Sequence, residues 1–249
     1  MLRYYFLAVF VLTALMISAR CLAETPPGFE SIMPTANLAG WVGGATKHPA
    51  KISARQQAQW DSQIAVHWRI VNGELVSDGQ GPNLVTKRSY GDFELWVDWK
   101  LAAGGDSGIY LRDTPQVQLW DPNNRAAHKH GSQRGSGGLW NNQGLGKWPA
   151  TLADKPIGEW NRMQVRMVGP YVRVTLNDQV VVKDEVLENY YQRKSPVFST
   201  GRLHLQTHGY ETHFRRLLIR KIKSDESRRL LKMIAVAKAG GDQAAPGAE

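Results

Sequence analysis

Two short segments of this 249-residue chain carry side chains suited to chemistry: GDSGIYLRDTPQVQLWD (105–121) and RLHLQTHG (202–209). Both alternate with period two. Ile109, Leu111, Val117, Leu119, Leu203 and Leu205 fall on one face; Tyr110, Arg112, Gln116, Gln118, Trp120, His204, Gln206 and His208 fall on the other. This is the pattern of half-buried strands. The polar set lacks the Lys, Glu and Thr of an ordinary solvated face. Long amides and a guanidinium make directional hydrogen bonds to hydroxyls. Aromatic rings offer a flat, amphipathic surface to the apolar face of a sugar ring. GDFELWVDWKL (91–101) repeats the alternation and adds Glu94, Trp96 and Asp98 to the same row if it lies in the same sheet. The row has the composition of a carbohydrate-binding surface; the alternative is a solvated face with snorkelling side chains.

These segments belong to a dense series of strand-like stretches. They run Trp68–Val76, Phe93–Leu101, Gly108–Arg112, Gln116–Trp120, Asn161–Val168, Tyr171–Leu176, Gln179–Val182, Arg202–Thr207 and His213–Ile222. Turn signals such as NGE, GGDSG, VGP, LND and STG separate them. Asn177-Asp178 marks a hairpin turn, where both residue types tolerate positive φ. No long amphipathic helix is evident, and many short strands with frequent turns predict an all-β antiparallel sandwich. Residues 42–67 and 122–159 read as irregular. The second stretch is rich in Gly, Asn and Trp, and a long loop in a compact domain is usually functional. Of the nine tryptophans, Trp41, Trp68 and Trp160 read as framework, whereas Trp96, Trp120, Trp140 and Trp148 are ligand candidates.

The N-terminus predicts export. Arg3 precedes an apolar run from Tyr4 to Ile17, too short to span a bilayer comfortably, and Cys21-Leu22-Ala23 fits a cleavage site. The expected organisation is a signal peptide at 1–23, one sandwich domain at 24–222 and a flexible tail at 223–249, of which Ser224 to Lys238 could form a short helix. Cleavage after Ala23 removes the single cysteine and with it all disulfide and thiol chemistry. It also takes away Arg3 and Arg20 and no acid, lowering the formal charge from +9 to +7. The remaining basic residues are scattered, so neither a nucleic-acid partner nor a stable membrane span after cleavage is expected.

Several chemistries lack their motifs. The chain has no G-x-S-x-G elbow, P-loop or H-E-x-x-H, and no E-x-D-x-x-E strand of sandwich-fold glucanases. No motif demands a cofactor. His128, His130, His204 and His208 could supply metal ligands, but without metal-ligand spacing the residue types allow only a weakly held divalent ion.

In order along the chain stand FESIMPTANLAGW (29–41), WRIVNGELV (68–76), NLVTKRSYGDFELWVDWKL (83–101), GDSGIYLR (105–112), QVQLWD (116–121), GGLW (137–140), KPIGEWN (155–161), VTLND (174–178) and GRLHLQTHG with HFRRLLIRKI (201–222). In these motifs the chain resembles the 3-keto-disaccharide hydrolase family, whose fold is a concanavalin A-like jelly roll. It departs from the family pattern at Asp106, where N-S-G-I is usual, and at Gln116, where an acid is usual. The resemblance implies cleavage of 3-keto-glycosides: a base takes the acidic C2 proton, the C1 oxygen leaves by elimination, and water adds back. It implies Arg112 or a bound ion at the enolate oxygen, and His208, Glu211 or Asp121 as base or acid. The substrate-binding set is then Glu94, Trp96, Tyr110, Gln116, Gln118, Trp120, Trp140, His204 and Gln206. A non-catalytic, lectin-like carbohydrate-binding module stays open beside the enzyme, favoured by the amide at Gln116.

Overall fold

The computed structural model describes residues 25–241, and the expected signal peptide, with Cys21, lies outside them. The fold is a concanavalin A-like jelly-roll sandwich of two antiparallel sheets. The smaller sheet contains β2 (Trp41–Gly44), β5 (Asn83–Thr86), β7 (Asp106–Leu111), β8 (Thr114–Trp120) and β12 (His204–Leu205), in the order β2-β5-β12-β7-β8. The larger sheet contains β3 (Trp68–Val71), β4 (Glu74–Ser77), β6 (Phe93–Leu101), β9 (Asn161–Val168), β10 (Tyr171–Leu176), β11 (Gln179–Val186) and β13 (Thr212–Lys221), in the order β11-β10-β9-β6-β13-β4-β3. A short β1 (Glu30–Ser31) pairs with β13 at Leu218 and Ile219.

The alternation seen in the sequence builds the core. Phe93, Leu95, Val97, Trp99 and Leu101 of β6 join Ile109, Leu111, Val117, Leu119 and Leu205 of the smaller sheet in one buried cluster. Each fully buried side chain of this size contributes about 1.5–3 kcal/mol. The Asn177-Asp178 turn has φ of 47° and 66°, as the sequence predicts. A second turn of this kind lies earlier than the 113–115 interval between the expected strands. The β7–β8 hairpin reverses at Arg112 and Asp113, with φ of 51° and 58°, so Arg112 ends no strand but occupies the turn itself.

Residues 42–67 hold a helix that the sequence reading did not find, α1 (Ala54–His67). Its start carries a capping box: Gln56 N donates to Ser53 Oγ, and Ser53 N donates to Gln56 Oε1. Among its residues only Ile64 is buried, so no apolar 3.6-residue period advertises it. The helix lies on β2, an edge strand of the smaller sheet. Gly43 N donates to Asp61 Oδ1 at 2.9 Å, and Gln57 Nε2 donates to Gly43 O at 2.8 Å. A Cβ at residue 43 would stand 2.5 Å from the Trp60 backbone, so glycine permits this close seating. The opposite edge, β8, is also covered. Gly137 N donates to Gln118 O and Gln118 N to Gly138 O, and Val117 pairs with Leu139.

The short helix expected from Ser224 to Lys238 is present and runs on as α2 (Ser224–Gly241), so most of the described part of the expected tail is helical. It docks on the larger sheet. Ser227 Oγ donates to Asp92 Oδ2, Lys238 pairs with Glu185 at 3.0 Å, and Ile234 is buried. Among the described residues no helix is long and apolar enough to cross a membrane.

Candidate active site

The side of the smaller sheet that faces away from the core carries the polar row. Asp106 and Tyr110 project from β7, Gln116, Gln118 and Trp120 from β8, and Gln206 follows β12. They line a cleft of about 320 Å³. Three loops wall it: Thr46 ahead of α1, His130, Trp140 and Asn141 from the long segment after β8, and Tyr190 from the segment after β11.

One hydrogen-bonded chain crosses this surface. Gln116 Nε2 donates to Gln118 Oε1 at 2.5 Å, Gln118 Nε2 donates to Asp106 Oδ1 at 2.7 Å, and Asp106 Oδ2 meets His208 Nδ1 at 2.9 Å. Gly108 makes room for it, because a Cβ there would fall 2.6 Å from the Gln116 side-chain carbon. The bond to Asp106 raises the His208 pKa above its ordinary value, with burial opposing. Tyr110 OH lies 2.5 Å from Thr46 Oγ1 and accepts from Gln206 Nε2 at 3.3 Å. Burial pushes this phenol up, so it remains a neutral donor. Trp120 donates its Nε1–H to Gly135 O at 2.7 Å and packs edge-on against Trp140, which packs in turn on Trp148. Lys147 stands over Trp140 at 4.7 Å.

His204 shares the face of this row beside its cross-strand partner Tyr110, but it is covered and does not line the cleft. Its ring stacks against that of Tyr110 at 5.0 Å, is 1% exposed, and contacts Asp113 Oδ1 through Nε2 at 2.8 Å. Its Nδ1 has no partner. A protonated ring would bury an unpaired N–H there, so His204 is neutral, in keeping with the lowering of its pKa by burial. This depressed pKa sets a pH dependence. In the unfolded chain the ring takes a proton below about pH 6.5, whereas the folded protein refuses it. Stability is therefore full above that pH and falls below it, by up to about 1.4 kcal/mol per pH unit. Burial opposes the charge of Asp113, but His204 and Arg202 hold its pKa low, so its own loss begins only at more acidic pH. His208 acts with the opposite sign, yet its side chain is 60% exposed and the pair contributes little, about 0–1 kcal/mol. Urea titrations between pH 7.5 and 5 should show the fall in wild type and a flatter curve in His204→Gln. Equal slopes in the two proteins would refute a neutral His204.

Several expected site residues lie elsewhere. Glu94 and Trp96 are on β6, at the centre of the larger sheet, so their alternate face points to the other side of the sandwich. There Glu94 pairs with Arg220 and Trp96 packs on Phe29. Arg112 is 1% exposed and engaged at every nitrogen: Nε donates to Gly91 O, Nη1 to Gly169 O and Phe198 O, and Nη2 to Asp92 at 2.6 Å. It holds loops together and, buried away from the cleft, cannot reach an enolate there. Asp121 is buried as a loop cap, accepting from Gly104 N and Asn123 N. Glu211 stands just before β13 of the larger sheet and is bonded to His213. The cleft does gather Tyr110, Gln116, Gln118, Trp120, Trp140, Gln206 and His208. The cleft also contains Asp106, Thr46, Asn141 and Tyr190, which the sequence does not single out as site residues, and His130, which it offers only as a metal ligand. Asp106 has a signal, since it shares the parity of Gly108 and Tyr110, but GGDSG has the composition of a turn and hides the start of β7. Among the described residues no three His, Cys, Asp or Glu side chains are grouped to hold a metal ion.

A jelly-roll sandwich with a polar, tryptophan-walled cleft on one sheet is the class that fold and site define. The chain belongs to the 3-keto-alpha-glucoside-1,2-lyase-like domain family, whose sequence profile matches residues 28–220. It is 24% identical over 180 residues to the 3-keto-disaccharide hydrolase of Bacteroides thetaiotaomicron, covering 63% of this chain and 58% of that protein. The chain thus spans little more than half the length of that relative. Two crystal structures of candidate glycosyl hydrolases from Parabacteroides distasonis share the fold. One has a TM-score of 0.57 at 22% identity over 79% of this chain and 95% of its own. The other has a TM-score of 0.54 at 22% identity over 63% and 91%.

Proposed function

We propose that this protein cleaves the glycosidic bond of 3-keto-glycosides by elimination and rehydration, with His208 and Asp106 as the proton-transfer pair. The observation that carries this reading is the 2.9 Å contact between His208 and Asp106 at the cleft, with Asp106 anchored from behind by Gln118. A C3 ketone acidifies the C2 proton. Neutral His208 accepts that proton, and Asp106 stabilises the imidazolium that forms. The electrons pass to the C3 oxygen as the C2–C3 enolate forms. Tyr110 and Gln206 are the neutral donors near the floor that suit this oxygen. Collapse of the enolate forms the C1–C2 double bond and expels the C1 oxygen, which takes the proton from the His208 imidazolium and leaves as an alcohol. Water then adds across the new double bond, completing a net hydrolysis.

Gln116 lacks the acid of the family pattern, yet the same hydrogen-bonded chain carries a carboxylate at Asp106. That favours the enzyme over the binding module. Incubation with a 3-keto-glucoside should release the aglycone. Saturable binding of that compound without release would support the lectin-like reading instead. We also propose export, motivated by the apolar run from Tyr4 to Ile17 ahead of Cys21-Leu22-Ala23. Intact mass of the protein from its native host should show loss of residues 1–23; retention of Met1 would refute it.

A further inference from the structure

The cleft does not end at His208. Thr46, Gln206 and His208 also line a second lobe of about 470 Å³, which continues toward α1 and β5. The proton-transfer group therefore stands at the junction of two chambers, with Trp140 in one and Trp60 in the other.

Two residues that line the second lobe carry covered polar atoms without hydrogen-bond partners. Asn83 is only 5% exposed; its Oδ1 accepts from Thr207 N, but its Nδ2, near Tyr110, makes no well-formed hydrogen bond. Gln206 gives its Nε2–H to Tyr110, and its buried Oε1 has no partner. An unmatched amide donor and an unmatched carbonyl acceptor each cost free energy when buried. A sugar hydroxyl both donates and accepts, so it matches such a pair. Trp60 supplies the flat apolar wall that a pyranose ring needs. No charged side chain other than His208 lines this lobe, which fits a neutral sugar. The close seating of α1 on Gly43 fixes where Trp60 stands.

We propose that this second lobe is the leaving-group subsite, in which Trp60 and Asn83 bind the neutral sugar that departs from C1. The proposal rests on the lyase reading above for the name of the departing unit. It makes α1 a specificity element: substrates with a sugar aglycone are bound across both lobes, and those with a small aglycone use only one.

Isothermal titration tests this on a His208→Ala background, which holds substrate without turning it over. The probes are a 3-keto-disaccharide and methyl 3-keto-glucoside. The disaccharide should bind at least about tenfold tighter, a difference of about 1.4 kcal/mol. Adding Trp60→Ala should abolish that advantage while leaving the methyl glycoside affinity within about twofold, and Trp60→Phe should keep part of it. Equal affinities for the two ligands, or a Trp60→Ala loss shared by both, would overturn the subsite. If the advantage depends on Trp60 but wild-type protein releases no sugar, the lyase reading falls and the sugar subsite stands.

Discussion

Truncating Arg112 to alanine is expected to cost about 3–5 kcal/mol of folding stability, the range for breaking a buried ion pair from one side. For a domain of this size that lowers the thermal midpoint by roughly 10 °C. The change leaves the carbonyls of Gly91, Gly169 and Phe198 without their donor and takes the cation from Asp92. Asp92 also accepts from Gly169 N and from Ser227 Oγ of α2, so the loss spreads to the β9–β10 turn and the C-terminal helix. Arg112→Lys should rescue little, because a point charge cannot reproduce the planar fork. Turnover per folded molecule, measured well below the midpoint, should stay near wild type. A stable Arg112→Ala protein with abolished turnover would return this residue to the reaction.

His208→Ala should show the reverse. Turnover of a 3-keto-glycoside should fall by roughly 100-fold or more, the scale of a lost general base. Stability should move by less than about 1 kcal/mol, as at exposed sites. The pH profile adds a signature. Only neutral His208 accepts a proton, and Asp106 favours the charged ring, so the acidic limb should lie above the ordinary histidine pKa of about 6.5. Asp106→Asn should move that limb down towards about 6.5 and reduce turnover. A His208→Ala protein with undiminished turnover, or a limb unmoved by Asp106→Asn, would sink this assignment.

The parity of residues along β7, β8 and β12 was legible because each strand has one buried face, and that parity alone assembled most of the cleft. What the sequence could not say was which sheet a strand joins. β6 has the same alternation as β8, yet its polar face lies on the far side of the sandwich, which separated Glu94 and Trp96 from the row. Arg112 misled for a different reason. Its side chain would face the cleft if β7 ran on, but the chain turns there, and a left-handed backbone at a non-glycine residue is unusual enough to escape a propensity reading. The helix α1 stayed hidden because its contacts with β2 are made by Asp61, Gln57 and a glycine rather than by an apolar stripe. The capping residues Ser53 and Gln56 were its one signal.

The pairing of Gly137–Leu139 along β8 gives the Trp140 wall a role in solubility. β8 is the last strand of its sheet, and an open edge is a template for another chain. The same loop that shapes the cleft occupies that template. Trimming the loop to widen substrate access would therefore uncover a row of free N–H and C=O groups and invite edge-to-edge association. Engineering of specificity on this scaffold is constrained by colloidal behaviour as much as by catalysis, and the safer positions to vary are the side chains that the loop presents rather than its length.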